Sequence, residues 1–381
     1  MKTFIYQFLL LLFLFSCDDS DGDKYYLNRT SECVSFDLDA STNPFIPTLS
    51  LFHDENNEYL TIENRGNNQI LFYDFNAKKL SFKINVKIEG DNGVGQFLGY
   101  YIHNMDSIFL TVSTPEFPVI NKNAKEITKL QYNQSSLGLK LYQNYSITSI
   151  VYHPLEIIDN RLYAVVGANR HAEREPVSIT VDLLTGAVDE LDFHYPSFPN
   201  MDNAQKRSSS EEGFSRCFDG EQFIYSFHYD EYIYVASIDH KNVKKVRIKS
   251  KYIDRVVIPD DYNYSMDLRQ SLRMQCESPN YGNLIYDKYR NVYYRIAYLA
   301  TTIEKDVDAI PLFQFGRKNF SIIILDHDFN IIGETMFPDY TYNSYLMFVH
   351  EDGLYMSNSH CMNPSYSDDI LSFERFDLVK K

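Results

Sequence analysis

Apolar and polar residues alternate in short runs along nearly the whole chain, and the runs end in clusters of Asp, Asn and Gly. "SIIILDHDFNIIGETMF" (321–337) is typical: an apolar run meets Asp326, a few polar residues follow, and a second apolar run begins. The same grammar recurs in "QILFYDFNAKKLSF" at Asp74, "PVINKNAKEITKL" at Asn121, "VSITVDLLTGAVDEL" at Asp182, "IYVASIDHKNVKKVRI" at Asp239 and "ILSFERFDLVKK" at Asp377. Upstream of each lies another strand pair joined by a polar turn. These pairs are "LFHDENNEYLTI", "YYIHNMDSIFLTV", "LEIIDNRLYAVVG", "RCFDGEQFIYSF", "LIYDKYRNVYYRI" and "MFVHEDGLYMSN". Alternation with period two reads as strand, and Asp, Asn and Gly suit tight reversals. Six units at roughly fifty-residue spacing indicate a repeat architecture.

Each unit therefore predicts four antiparallel strands, and six such units predict an all-β, six-bladed β-propeller. The last unit leaves too few residues after Asp377 for its fourth strand. The orphan segment 32–39, "ECVSFDLD", can supply that strand and close the ring, which also removes an exposed edge. Asp326, Asp328 and Asn330 superficially resemble a calcium loop. An EF-hand loop starting at Asp326 needs Gly sixth and Glu twelfth, but Ile331 and Phe337 stand there, so a turn is expected and no metal site.

The N-terminus lies outside this pattern. Residues 4–15 form an apolar run of signal-peptide length, too short to span a membrane. It ends in Ser16-Cys17, which resembles the bacterial lipobox. The resemblance implies cleavage before Cys17 and a lipid on Cys17; the alternative is an ordinary secretory signal with a stray Cys. The expected organisation is a signal peptide over 1–16, an acidic lipid-anchored tether over 17–30 and one propeller domain over 31–381. The acidic "DDSDGD" after Cys17 reads as a solvated tether or as an address, and an outer-membrane, outward-facing placement is expected over a periplasm-facing one.

Net charge of −16 argues against a nucleic-acid partner. The 31 Tyr and 27 Phe, with no Trp, fit a strand-rich fold. Cys33, Cys217, Cys276 and Cys361 form no C-x-x-C pair, so zinc is not expected; one disulfide and free thiols both remain open. The Tyr286, Asp287, Tyr293, Tyr294 and Arg295 pattern within 279–299, together with the leader and the six units, resembles a group of bacterial lipoproteins known only as domain of unknown function 4221. The resemblance implies a propeller lipoprotein and no specific activity.

In such a fold the loops between second and third strands and between blades share one face. Here they are long, notably 194–216, 250–282 (with a short helix near 266–275) and 300–319, so binding is expected there. Ligand-binding candidates are Arg65, Arg170, His171, Arg216, His228, Arg295 and His360. They read either as a polar ring at the axis, with Arg clamping an anion, or as loop residues that meet water. Arg295, inside a strand, reads either as a ligand contact or as a residue paired within the propeller. No G-x-S-x-G elbow or H-E-x-x-H helix is present, and no cofactor is called for. The expected role is a lipid-anchored binding or sensing module for an envelope protein, peptide or glycan. The alternative is a carbohydrate- or peptide-acting hydrolase or lyase at the axis.

Overall fold

A computed structural model describes residues 23–55, 57–144, 147–166, 176–196, 213–256 and 267–381. Strand β1 (Tyr25–Asp37) comes first. The first blade follows as β2 (Leu49–Asp54), β3 (Asn57–Asn64), β4 (Gln69–Asp74) and β5 (Lys79–Asn85). The second holds β6 (Phe97–Asn104), β7 (Ser107–Val112), β8 (Glu116–Ile120) and β9 (Glu126–Gln131). Helix α1 (Ser136–Asn144) leads to the third, β10 (Glu156–Ile158), β11 (Arg161–Val165), β12 (Ser178–Asp182) and β13 (Val188–Glu190). The fourth is β14 (Phe214–Phe218), β15 (Gln222–Phe227), β16 (Tyr232–Ser237) and β17 (Val243–Arg247). Helix α2 (Leu268–Glu277) precedes the fifth, β18 (Asn280–Asp287), β19 (Val292–Tyr298), β20 (Phe320–Asp326) and β21 (Ile331–Met336), with α3 (Ala309–Phe315) between β19 and β20. The sixth is β22 (Asn343–His350), β23 (Gly353–Ser357) and β24 (Ile370–Lys380), completed by β1.

All six sheets are four-stranded and antiparallel. The protein is a six-bladed β-propeller, and the repeated hairpins of the sequence are its blades. The expected closure is present, but longer than the sequence indicated. β1 begins at Tyr25, so 25–30 are strand rather than tether, and the pairing runs from Tyr25↔Lys380 to Asp37↔Ile370 with one irregularity between Arg29 and Cys33. Asp377 lies inside β24, opposite Asn28, and does not mark a turn as its counterparts do.

The turn at Asp326 follows the expected chemistry. Its Oδ1 accepts hydrogen bonds from the backbone N–H of Asp328 (3.0 Å) and Asn330 (2.8 Å), which uses the carboxylate to hold the reversal. Asp182 does the same for Leu184 and Thr185. Cys33, Cys217, Cys276 and Cys361 are all free thiols.

The apolar core is divided among the blade interfaces. Phe97, Leu110, Ile70 and Phe72 unite blades one and two; Leu162, Val181, Phe109 and Phe117 unite two and three; Phe223, Phe227, Tyr163 and Val165 unite three and four. Equivalent clusters join four to five, five to six, and six to one. Strand β1 serves two of them. Phe36, fully buried, stacks edge-on against Tyr73 (5.4 Å between centroids) in the six–one interface, while Leu27 enters the five–six interface.

Phe36→Ala would leave a cavity at the closure, at a cost of about 3–5 kcal/mol by the usual large-to-small scale. The expected outcome is a cooperative urea unfolding curve with a lowered midpoint. An unchanged midpoint would mean that β1 does not hold the ring shut.

Candidate functional site

At the end of the propeller where the inner strands begin, a cavity of about 680 Å³ opens on the axis. Five of the six blades contribute: Ile46 and Pro47 before β2, Ile150 to Tyr152 before β10, Gly213 and His228 flanking β14 and β15, Tyr281 and Tyr298 from blade five, and Asn343, Tyr345 and Leu346 from β22. Helices α2 and α3 form one side through Leu268, Leu272, Gln275, Phe313 and Gln314. They come from two of the three long insertions foreseen in the sequence, 250–282 and 300–319, and they pack on each other through Cys276, Ile303 and Leu312. Arg273 bonds the carbonyls of Ile303 (3.0 Å) and Val307 (2.6 Å) across the pair.

The walls are aromatic. Tyr152 and Tyr345 meet edge to face at 5.7 Å, Tyr298 and Tyr345 lie 6.4 Å apart, and Tyr298 bonds Ser344 Oγ at 2.9 Å. The one charged side chain among the described lining residues is Arg317, and none of them is Asp or Glu. Arg317 is buried, with its guanidinium 4.8 Å from the Tyr298 ring centroid. Its Nη1 donates to the Gln275 carbonyl and its Nε to Tyr345 Oη (3.4 Å), while Nη2 has no partner among the described residues.

The backbone that presents Arg317 is specific. Gly316 has φ +110°, a region closed to most residues, and a Cβ there would lie 2.8 Å from the Tyr342 carbonyl oxygen. His360 donates from Nε2 to the Gly316 carbonyl (3.0 Å) and accepts at Nδ1 from the Met362 N–H. Gly213 likewise leaves room for His228, since a Cβ would sit 2.4 Å from its Nδ1. The His228 Nε2 is withdrawn from solvent and has no partner. Burial, with Arg317 nearby, pulls its pKa down to about 3, so the ring is neutral at physiological pH.

Of the described residues foreseen from the sequence, His228 alone lines the cavity. Arg170 and His171 lie outside the described residues. His360 is fully buried and supports Arg317 from behind. Arg65 forms a fork with the buried Glu63 carboxylate (2.6 and 3.3 Å), and burial raises the pKa of that carboxyl although Arg65 opposes the shift.

Arg216 does not clamp the axis but faces into a blade interface, and Arg295 takes the second of its two readings, paired within the propeller. Arg216, on β14, donates to Ser178 Oγ (3.1 Å) and to the carbonyls of Pro154 (2.6 Å) and Tyr163 (3.2 Å), which ties blade four to blade three. Arg295, on β19, donates to Ser226 Oγ (2.9 Å) and to the carbonyls of Ile248 (2.6 Å) and Asp230 (2.6 Å), and stacks 3.6 Å above the Tyr281 ring. Burial lowers its pKa to about 10, still charged at neutral pH. A buried cation is tolerable when its donors are met in this way. The rest of the Tyr-Asp…Tyr-Tyr-Arg signature is structural too. Asp287 caps its turn and accepts from Tyr294, and Tyr293 bonds Asp219 on blade four (2.6 Å).

Arg317 escaped sequence reasoning because it sits in a variable insertion with no periodic pattern. Gly316 beside it was the available signal, and it is a weak one. Among the described residues, no group of three or more His, Cys, Asp and Glu is placed to hold a metal ion, and no helix is long and apolar enough to cross a membrane.

A six-bladed propeller with an aromatic, cationic axial cavity defines the class. Residues 24–336 match the model of the family described as domain of unknown function DUF4221, and the chain belongs to that family. It is similar to a DUF4221 member from Bacteroides vulgatus at 23% identity and TM-score 0.79, over 94% of this chain and 99% of that one. A candidate exported protein from Bacteroides fragilis matches at 11% identity and TM-score 0.53, over 92% and 98% of the two chains. These likenesses show the fold. No curated protein matches the sequence.

The buried histidines make stability depend on pH. Burial brings His240 and His360 to about 4 when folded, against roughly 6.5 unfolded. Below pH 6.5 the unfolded chain binds protons that the folded one refuses. Their contribution is therefore complete above pH 6.5 and drains as pH falls towards 4. Glu156, raised by burial to about 7, acts oppositely, losing stability as pH rises through 7. His153, at about 4, and His228 side with the other histidines, so the sum favours neutral pH. Urea midpoints should fall between pH 6.5 and 4, and His360→Gln should flatten the fall. A midpoint independent of pH would contradict these burials.

Proposed function

We propose that this protein is a lipid-anchored binding module of the cell envelope that holds a small ligand, or one side chain of a peptide, in the axial cavity of its long-loop face. The observation that carries the reading is the cavity itself. Its size falls in the range of ligand sites, its walls are apolar and aromatic, and a few polar groups converge on it. The rigid blades hold those groups without help from a ligand. The Ser16-Cys17 junction after an apolar run supports attachment through lipid on Cys17, and the acidic stretch that follows it supports a placement facing outward from an outer membrane.

The catalytic alternative draws less support. Glycoside hydrolysis uses two carboxylates across the bond, and the described lining has none. His228, with a pKa near 3, is poorly matched to proton transfer at neutral pH. An anionic chain of this composition also offers little to nucleic acid.

Two measurements test the proposal. Saturation-transfer NMR with a panel of drug-sized aromatic compounds should show saturable one-to-one binding that Leu272→Trp, which fills the cavity, abolishes. Binding untouched by that substitution would place the site elsewhere. Cys17→Ser should shift the protein from the detergent to the aqueous phase in a partition assay; an unchanged partition would contradict the anchor.

A further inference from the structure

The cavity carries a chemical preference, and this inference rests on reading it as a ligand site. We infer that its ligand is an amphipathic monoanion: a flat apolar or aromatic body bearing a single carboxylate that docks on Arg317. One polar group at the cavity has unused capacity: Arg317 Nη2 donates to nothing among the described residues. A guanidinium edge is matched by a carboxylate, and such charge-assisted bonds are the strong ones.

The rest of the lining selects against other charges. A cationic ligand would meet Arg317 with no Asp or Glu among the described lining residues to balance it. A dianion such as a phosphate monoester would bring two charges against one guanidinium. Its second charge would be left against Tyr298, Phe313 and Leu346, where an unpaired charge is costly. A neutral apolar ligand would fill the walls but leave Arg317 Nη2 desolvated and unpaired. One carboxylate satisfies the cation, while the flat body packs against the aromatic wall of Tyr152, Tyr298 and Tyr345. His360 and Gly316, remote from the ligand, act as positioning residues by fixing the backbone from which Arg317 projects.

The absence of Trp simplifies the test, since a naphthalene probe fluoresces above a Tyr-only background. Four probes sharing one body are titrated into the purified protein: 2-naphthylacetate, 2-naphthylacetamide, 2-(2-naphthyl)ethylamine and 2-naphthyl phosphate. The expected result is that the acetate binds about ten-fold tighter than the amide, and tighter than the amine or phosphate. Arg317→Gln should erase the preference for acid over amide. Arg317→Lys, which keeps the charge, should retain part of it and serves if the Gln variant fails to fold. Equal affinity for acid and amide, with binding still lost in Leu272→Trp when that variant is read by saturation-transfer NMR rather than fluorescence, would overturn the monoanion inference and leave the cavity reading standing. Tighter phosphate binding would also overturn it. No binding by any probe would overturn both.

Discussion

The six large apolar cores among the described residues are each shared between two blades. Phe72 packs in one cluster with Leu110 of the next sheet, and Phe227 with Val165 of the preceding one. No blade can therefore bury its faces alone, and the fold stands only as a closed ring. That constraint explains why β1 is thirteen residues long and pairs along nearly all of β24. It also explains two otherwise puzzling arginines. Arg216 and Arg295 place a cation inside the protein because their forked donors reach several carbonyls of the neighbouring blade at once. Packing holds the blades face to face, and these forks fix their mutual register.

Most of the fold was legible because it is written in turns. Asp326 and Asp182 satisfy backbone N–H groups within a few residues of themselves, so their meaning is local and survives without a structure. The closure was legible in outline, since a final unit short of one strand needs a donor. Its length was not: the polar segment 25–31 has no alternation to mark it as strand, and only pairing with β24 makes it one. Helix α1, nine residues without acidic residues in its first turn, also left little trace in the sequence.

The site was less legible, for a different reason. The sequence shows that an arginine is polar, not which way it faces. Arg295 and Arg317 look alike as residue types, yet one spends its donors on carbonyls and the other keeps Nη2 open to a cavity. That difference arises from chain segments far apart in sequence, such as His360 supporting Gly316. The cavity opens on the long-loop face, and that face can be marked out in advance because loop length is a sequence property. The particular side chains that converge there are a property of the ring.

The cavity inherits its rigidity from the propeller and its chemistry from two helical insertions. Inner strands of five blades set the floor and walls, while α2 and α3 bring Leu272, Phe313 and the turn that presents Arg317. The most direct test is a crystal structure of the protein soaked with 2-naphthylacetate. The account predicts the naphthalene ring against the wall formed by Tyr298 and Tyr345, with the carboxylate within hydrogen-bond distance of Arg317 Nη2. A probe bound elsewhere at saturating concentration, or seated in the cavity with its carboxylate turned away from Arg317, would contradict it.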